Sequence, residues 1–291
     1  MPIYEQTYRE YSGDYRQRFR WAIIVQQELR ILIKSKFFLG MLLVTLLHFL
    51  LRLMQVTIYD VIAQDPNSPF AMAFANIQEL EVNAKMIYDF LSMQSAIVFI
   101  VTIFAGAGMI CNDVKNNLME IYFSKPITWR DYALGKILAL ALIASVHSVI
   151  PAAALVIMHN LMLPGFDTIK DSWWWLYAIL GYSVVLILPC ILGVLASSAL
   201  VKSKNFASAA VLMLLFANSA MGGTLGGVLR DNNYLAVSFP ITLDHLGNHL
   251  FHDTNYLFPL HWGWCLAYVA AVCAVCLMIV LKRVRKAEIA Q

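Results

Sequence analysis

A chain of 291 residues that is 60% hydrophobic and only 13% charged carries too much apolar surface for a soluble domain, and its mean hydropathy of +0.67 names lipid as the solvent. The formal net charge of +3 gives no sign of a nucleic-acid partner. The five cysteines, Cys111, Cys190, Cys265, Cys273 and Cys276, lie in or beside apolar runs, which excludes an extracellular disulfide framework and makes Cys273-x-x-Cys276 a packing pair.

Residues 1–14 are polar and tyrosine-rich and read as a cytoplasmic tail. No cleavable signal peptide is expected, because residues 1–36 are polar and basic and the first apolar run is long enough to remain as an anchor. Residues 15–36 have helical periodicity, with Trp21, Val25, Leu29, Leu32 and Ile33 on one face and Arg16, Arg20, Gln27, Arg30 and Lys34 on the other. That pattern predicts a helix lying in the membrane interface. Ile23 breaks it on the polar side and Glu28 on the apolar side. A carboxylate at Glu28 needs a partner or a route to water: a nearby arginine, a cytoplasmic partner or the second loop.

Six runs then reach the roughly 20 apolar residues that cross a bilayer: Phe37–Ile58, Phe90–Ile110, Ile137–Met158, Trp173–Leu200, Phe206–Leu229 and Trp262–Leu281. Arg52 is their one fixed charge, and none holds Asp or Glu. Lipid satisfies no backbone polar group, and continuous apolar runs without alternation exclude a barrel, so the fold class is an all-α integral membrane bundle. Residues 37–282 form the six-span domain and residues 283–291 a basic tail. Of the 21 lysines and arginines, all but Arg52, Lys85, Lys170 and Arg230 fall on one side of this arrangement, which places both termini in the cytoplasm.

On the outer side, Asp65-Pro66-Asn67-Ser68-Pro69 is a turn, Phe70–Lys85 a candidate surface helix, and Trp173-Trp174-Trp175 an interfacial belt. Residues 231–261 hold two short apolar stretches, Leu235–Pro240 and Tyr256–Leu260, too short to span and expected to re-enter the outer leaflet. Pro151 and Pro189 should kink the third and fourth spans. The fifth ends with two small-xxx-small registers, Gly222 with Gly226 and Gly223 with Gly227, suited to close helix approach within the chain or to a second copy.

Three polar residues inside the spans are candidates for a substrate path or for helix–helix hydrogen bonds: Arg52, which can also snorkel or meet a lipid phosphate, His147 and Asn218. His245, His249 and His252, spaced for one helical face, are a weak candidate metal set.

The cytoplasmic loop 110–136 carries the strongest functional signal. Leu118, Ile121 and Tyr122 share a helical face, Glu120 and Lys125 flank it, and Pro126 ends the helix. Such a segment is either a rigid lever or a loop resting on headgroups. The run Leu118–Lys136 resembles the loop after the second span of ABC-2 type permeases, the membrane subunits of ATP-binding-cassette exporters. Asp113 fits the family's acidic position, and Glu120, Ser124, Pro126, Gly135 and Lys136 match its pattern, while Asn117-Leu118 stands where Gly-Thr is usual. Gln27–Lys36 is similar to the family's Glu-Leu-Arg segment before the first span.

The resemblance implies a second permease subunit, identical or related, and a pair of ATPase subunits that hold ATP and magnesium. It implies docking of the loop helix on each ATPase, with Glu28, Asp113, Leu118, Glu120, Ile121, Tyr122, Ser124, Lys125, Pro126 and Arg130 as coupling residues. It also implies a bacterial inner-membrane location. This chain has no Gly-x-x-x-x-Gly-Lys-Ser/Thr loop, so it is expected to be no enzyme and to hold no cofactor. The competing readings are a membrane scaffold, a lipid-processing enzyme and a secondary transporter. The last two lack, respectively, a serine–histidine–acid set and intramembrane carboxylates.

Overall fold

The computed structural model describes residues 19–289 except 66, 70, 71, 73–76, 78, 79, 164, 254–257 and 259. The expected cytoplasmic tail 1–14, the first residues of the interfacial helix, half of the candidate helix Phe70–Lys85 and most of the stretch Tyr256–Leu260 lie outside the described residues.

The elements are helical throughout. In chain order they are α1 (Trp21–Ile33), α2 (Lys36–Gln64), α3 (Ala84–Gly106), α4 (Cys111–Lys115), α5 (Leu118–Phe123), α6 (Trp129–His147), α7 (Val149–Met162), α8 (Phe166–Leu200) and α9 (Lys204–Leu229). A 3-10 turn (Asn232–Val237), α10 (Phe239–Leu250) and α11 (Trp262–Ile289) follow. Six segments are long and apolar enough to cross a membrane: α2, α3 with α4, α6 with α7, α8, α9 and α11.

Burial sorts these spans. The windows of the second and fourth are each 67% buried, whereas those of the first, fifth and sixth are 11–17% buried. Spans two and four therefore form the centre, and the flanking spans present Leu43, Leu47, Met213, Phe216 and Trp264 outward. In water such exposure would be unstable; in hydrocarbon it costs nothing.

The helices run past the apolar runs at their ends. Polar residues at the interface keep their intrahelical hydrogen bonds, so hydropathy ends before the helix does. The helices that hold the first two apolar runs therefore also carry Asp60, Asp89 and Asp113, just outside those runs. Likewise α11 continues to Ile289, so residues 283–289 of the basic tail are helical.

The two prolines differ in effect. Pro151 has no amide to give and crowds the carbonyl of His147, and span three breaks at Ser148 into α6 and α7. Pro189 sits inside an unbroken α8. The tryptophan triplet is no belt. Successive helical positions point about 100° apart, so only Trp173 faces outward, while Trp174 meets His252 at 4.7 Å and Trp175 is buried against His159.

Candidate functional site

One end of the bundle gathers α1, the turn after α3, α4, α5, the start of α6 and the end of α11. Span two loses its regular ladder at residues 107–110. The amides of Ile110 and Cys111 both donate to Ser198 Oγ at 3.1 Å. The carbonyl of Met109 is turned toward α6, where Lys136 reaches it.

Lys136 is the centre of this end. It is 1% exposed, and its ammonium donates to Glu28 Oε1 (2.6 Å), Asp113 Oδ2 (2.7 Å) and Met109 O (3.2 Å). An ammonium has three donors, and all three are used. Tyr132, wholly buried one turn earlier on α6, donates its hydroxyl to the same Asp113 oxygen at 2.7 Å. Two carboxylates and one ammonium leave the cluster one formal negative charge, with the acceptors on α1 and α4 and the donors Lys136 and Tyr132 both on α6. Glu28 therefore finds a lysine across the bundle, where an arginine on its own helix was one expectation.

Gly135 lets α1 come this close. A Cβ at that position would stand 2.8 Å from Ile24 Cβ and 3.0 Å from the carbonyl oxygen of Trp21. Gly135→Ala is expected to destabilise the protein by about 1–3 kcal/mol through overpacking. Thermal unfolding in mild detergent, with proteolysis of α1 as a local readout, checks this.

α5 rests on the cluster. Met119 is buried, and Tyr122 and Phe123 pack on the Tyr132 ring at 5.5 and 6.0 Å. Lys136 Nζ lies 5.9 Å from the centre of the Tyr122 ring, and burial raises the Tyr122 hydroxyl above its usual range. The opposite face of α5 is open: Ile121 is 56% exposed, and Glu120, Ser124, Lys125 and Pro126 are exposed with it. Arg130 is exposed and lies over Trp129. Leu118 is half-buried, so the expected shared face of Leu118, Ile121 and Tyr122 is split between outside and inside.

The entry to α5 explains its departure from the family pattern. Asn117 has φ 54° and ψ 25°, the left-handed region that glycine and asparagine adopt most readily. Asparagine thus keeps the turn that a glycine would make. At the exit, Arg20 donates to the carbonyl of Pro126, and Thr128 and Asp131 form a capping box that opens α6. Neither Arg20 nor Thr128 was among the expected residues; Thr128-x-x-Asp131 is the capping signal that could have marked the boundary.

The other candidates lie apart from this end. His147 is buried between α2 and α6, 2.7 Å from Thr45 Oγ1 and edge-on to Phe38. Arg52 donates to Gln55 on its own helix at 2.7 Å. Asn218 anchors the outer loop: its amide donates to Val237 O and Tyr268 Oη at 2.6 Å each, and its oxygen accepts from Phe239 N at 2.7 Å. It also borders a largely apolar cavity of about 250 Å³ walled by Phe99, Pro189, Leu214 and Cys276. Arg52, His147 and Asn218 thus have separate hydrogen-bond partners among the described residues.

The two glycine registers part company as well. Gly222 and Gly226 receive Ser238 and Leu235 of the outer loop, while Gly223 and Gly227 face open space. The three histidines do not share a face. His245 is buried on α10, where desolvation lowers its pKa. His249 stacks on Trp262 at 5.9 Å, and His252 lies beyond the helix with φ 56°. No group of three metal-ligating side chains occurs among the described residues.

Two buried polar features escaped the sequence reading. Asp60, 0% exposed, pairs with His159 Nδ1 at 2.8 Å. Gln94 is fully buried in α3, and neither amide atom has a hydrogen-bond partner among the described residues. A lone amide within an apolar run was the available signal for Gln94; nothing in the sequence pairs Asp60 with a residue 99 positions away.

No curated protein matches the chain. Residues 22–263 match the family described as ABC-2 family transporter protein, a span that includes α1, the Lys136 cluster and α5. Permeases of this family are typically non-catalytic, and membership implies partnership with an ABC ATPase subunit. With six helices able to cross a membrane and most of its length matched, the chain belongs to the ABC-2 family and is a multi-pass membrane permease of an ABC-type transporter.

Proposed function

We propose that this permease exports its substrate by taking up force, through α5, from a separate ATPase that holds ATP and magnesium. The basic end of the bundle faces the cytoplasm of a bacterial inner membrane, both termini lie there, and a second permease subunit completes the pathway above two ATPase copies. The observation that supports this most is the division of α5. Its inner face is seated on Tyr132 over the buried Lys136 cluster, while Ile121, Glu120 and Lys125 stand free. A short helix with one face locked to three structural elements and the other exposed transmits displacement rather than absorbing it. ATPase closure would move α5, and the cluster would carry that motion into α1 and spans two and three.

Membranes solubilised in mild detergent and captured through this permease should yield an ATP-binding chain at equal stoichiometry. Ile121→Glu with Glu120→Arg should abolish its recovery while leaving the permease folded. Tyr122→Ala should weaken recovery by loosening the seat of α5. A purified permease that transports with no nucleotide-hydrolysing chain present would sink the proposal.

A further inference from the structure

The last two turns of α11 continue the α5 surface. Val280, Val284 and Ala287 pack α11 onto the core, and Glu288 Oε1 accepts from the amide of Trp129 at 3.3 Å. Between α11 and the start of α5 lies a recess of about 270 Å³ bordered by Val114, Asn117, Met119, Glu120, Arg283 and Lys286. A span of 20 residues from Trp262 ends near Leu281, so these turns stand about 12 Å beyond the hydrocarbon at 1.5 Å per residue.

The charges around the recess are unequal. Asp131 is engaged in the capping box, Glu288 with Trp129, and Glu28 and Asp113 with Lys136. Lys115, Lys125, Lys282, Arg283, Arg285 and Lys286 are exposed. No salt bridge among the described residues involves Arg283 or Lys286. We infer that the recess between α5 and α11 is the second half of the ATPase docking surface and takes an acidic segment of that subunit. Arg283 and Lys286 meet its carboxylates while Ile121 fills an apolar contact beside them. This inference rests on the proposed coupling role of α5. Anionic headgroups carry the same sign of charge and are the alternative occupant; the recess adjoins α5 through Asn117, Met119 and Glu120, which favours the subunit that α5 meets.

Photocrosslinkers placed singly at positions 120 and 287 of the full-length permease in native membranes test this, with azido-ATP labelling to identify a nucleotide-binding adduct. Both positions are expected to capture the same ATP-labelled chain. Arg283→Glu with Lys286→Glu should lower the yield at position 120 at least roughly tenfold, as loss of paired interface charges does. The control pair Lys282→Glu with Arg285→Glu should leave that yield within about twofold, since peripheral charges contribute little. Undiminished capture at position 120 in the Arg283/Lys286 variant would overturn the inference and leave the α5 reading standing. Adducts at position 287 with lipid alone would overturn it in favour of a headgroup site. Absence of any ATP-labelled adduct at both positions would remove the α5 reading as well.

Discussion

Lys136→Met is expected to be among the most damaging single substitutions in this protein, costing about 3–5 kcal/mol of stability. It removes the only cation between Glu28 and Asp113 and leaves two carboxylates facing each other with side chains 13% and 10% exposed. It also orphans the Met109 carbonyl. The single changes Glu28→Gln and Asp113→Asn should each cost less, because Lys136 keeps one carboxylate in either case. Asp113→Asn also retains an acceptor for the Tyr132 hydroxyl. The triple variant Glu28→Gln, Asp113→Asn, Lys136→Met should be more stable than Lys136→Met alone, since replacing a buried ion set by neutral groups is far cheaper than breaking it. Unfolding midpoints in mild detergent give the ranking. A Lys136→Met protein as stable as the parent would mean that water reaches the cluster and that it joins nothing.

The consequence for transport follows from where the three partners sit. Glu28 is on α1, Asp113 on α4 and Lys136 on α6, and α5 leans on Tyr132 through its own Tyr122. Without Lys136 a displacement of α5 has no rigid path to α1 or to span three. Triple variants that fold but uncouple nucleotide hydrolysis from transport would be the signature of such a path.

At the other end of the bundle, His159→Leu should also cost about 3–5 kcal/mol, because it strands Asp60 in a site with no exposure. Asp60 Oδ2 already has no partner among the described residues, so the His159 contact at 2.8 Å is the main support of this carboxylate. The pair is roofed by Trp175, stacked on the His159 ring at 5.8 Å. It ties the end of α2 to α7 where span three has already been broken by Pro151. Asp60→Leu with His159→Leu should recover most of the loss, as a well-packed apolar pair removes the desolvation problem altogether. A double variant no more stable than His159→Leu would show that ring packing, not the Asp60–His159 contact, holds these helices together.

These cases show what kind of information the sequence carried. The six spans, their all-helical nature and the one-sided basic charge followed from local composition, because lipid imposes its demand residue by residue over about 20 positions. The segment proposed to meet the ATPase could be singled out for a similar reason: Glu120, Ser124 and Pro126 stand within one short run that resembles the family's loop. The limits of the spans were less legible. Asp60, Asp113 and the basic turns of α11 are helical although their hydropathy is not, since helix hydrogen bonding does not stop at the edge of hydrocarbon.

The sequence by itself determined that this is a lipid-embedded helical bundle with a charged end, for the solvent selects composition locally. Only the tertiary structure decided that Glu28, Asp113 and Lys136 are one cluster, that Asp60 meets His159, that Gly222 receives the outer loop and that α11 stands beside α5. Those pairings join residues far apart in the chain, 108 positions for Glu28 and Lys136. They are fixed by the need to neutralise buried charge and to fill space, and neither requirement acts on neighbours in the chain.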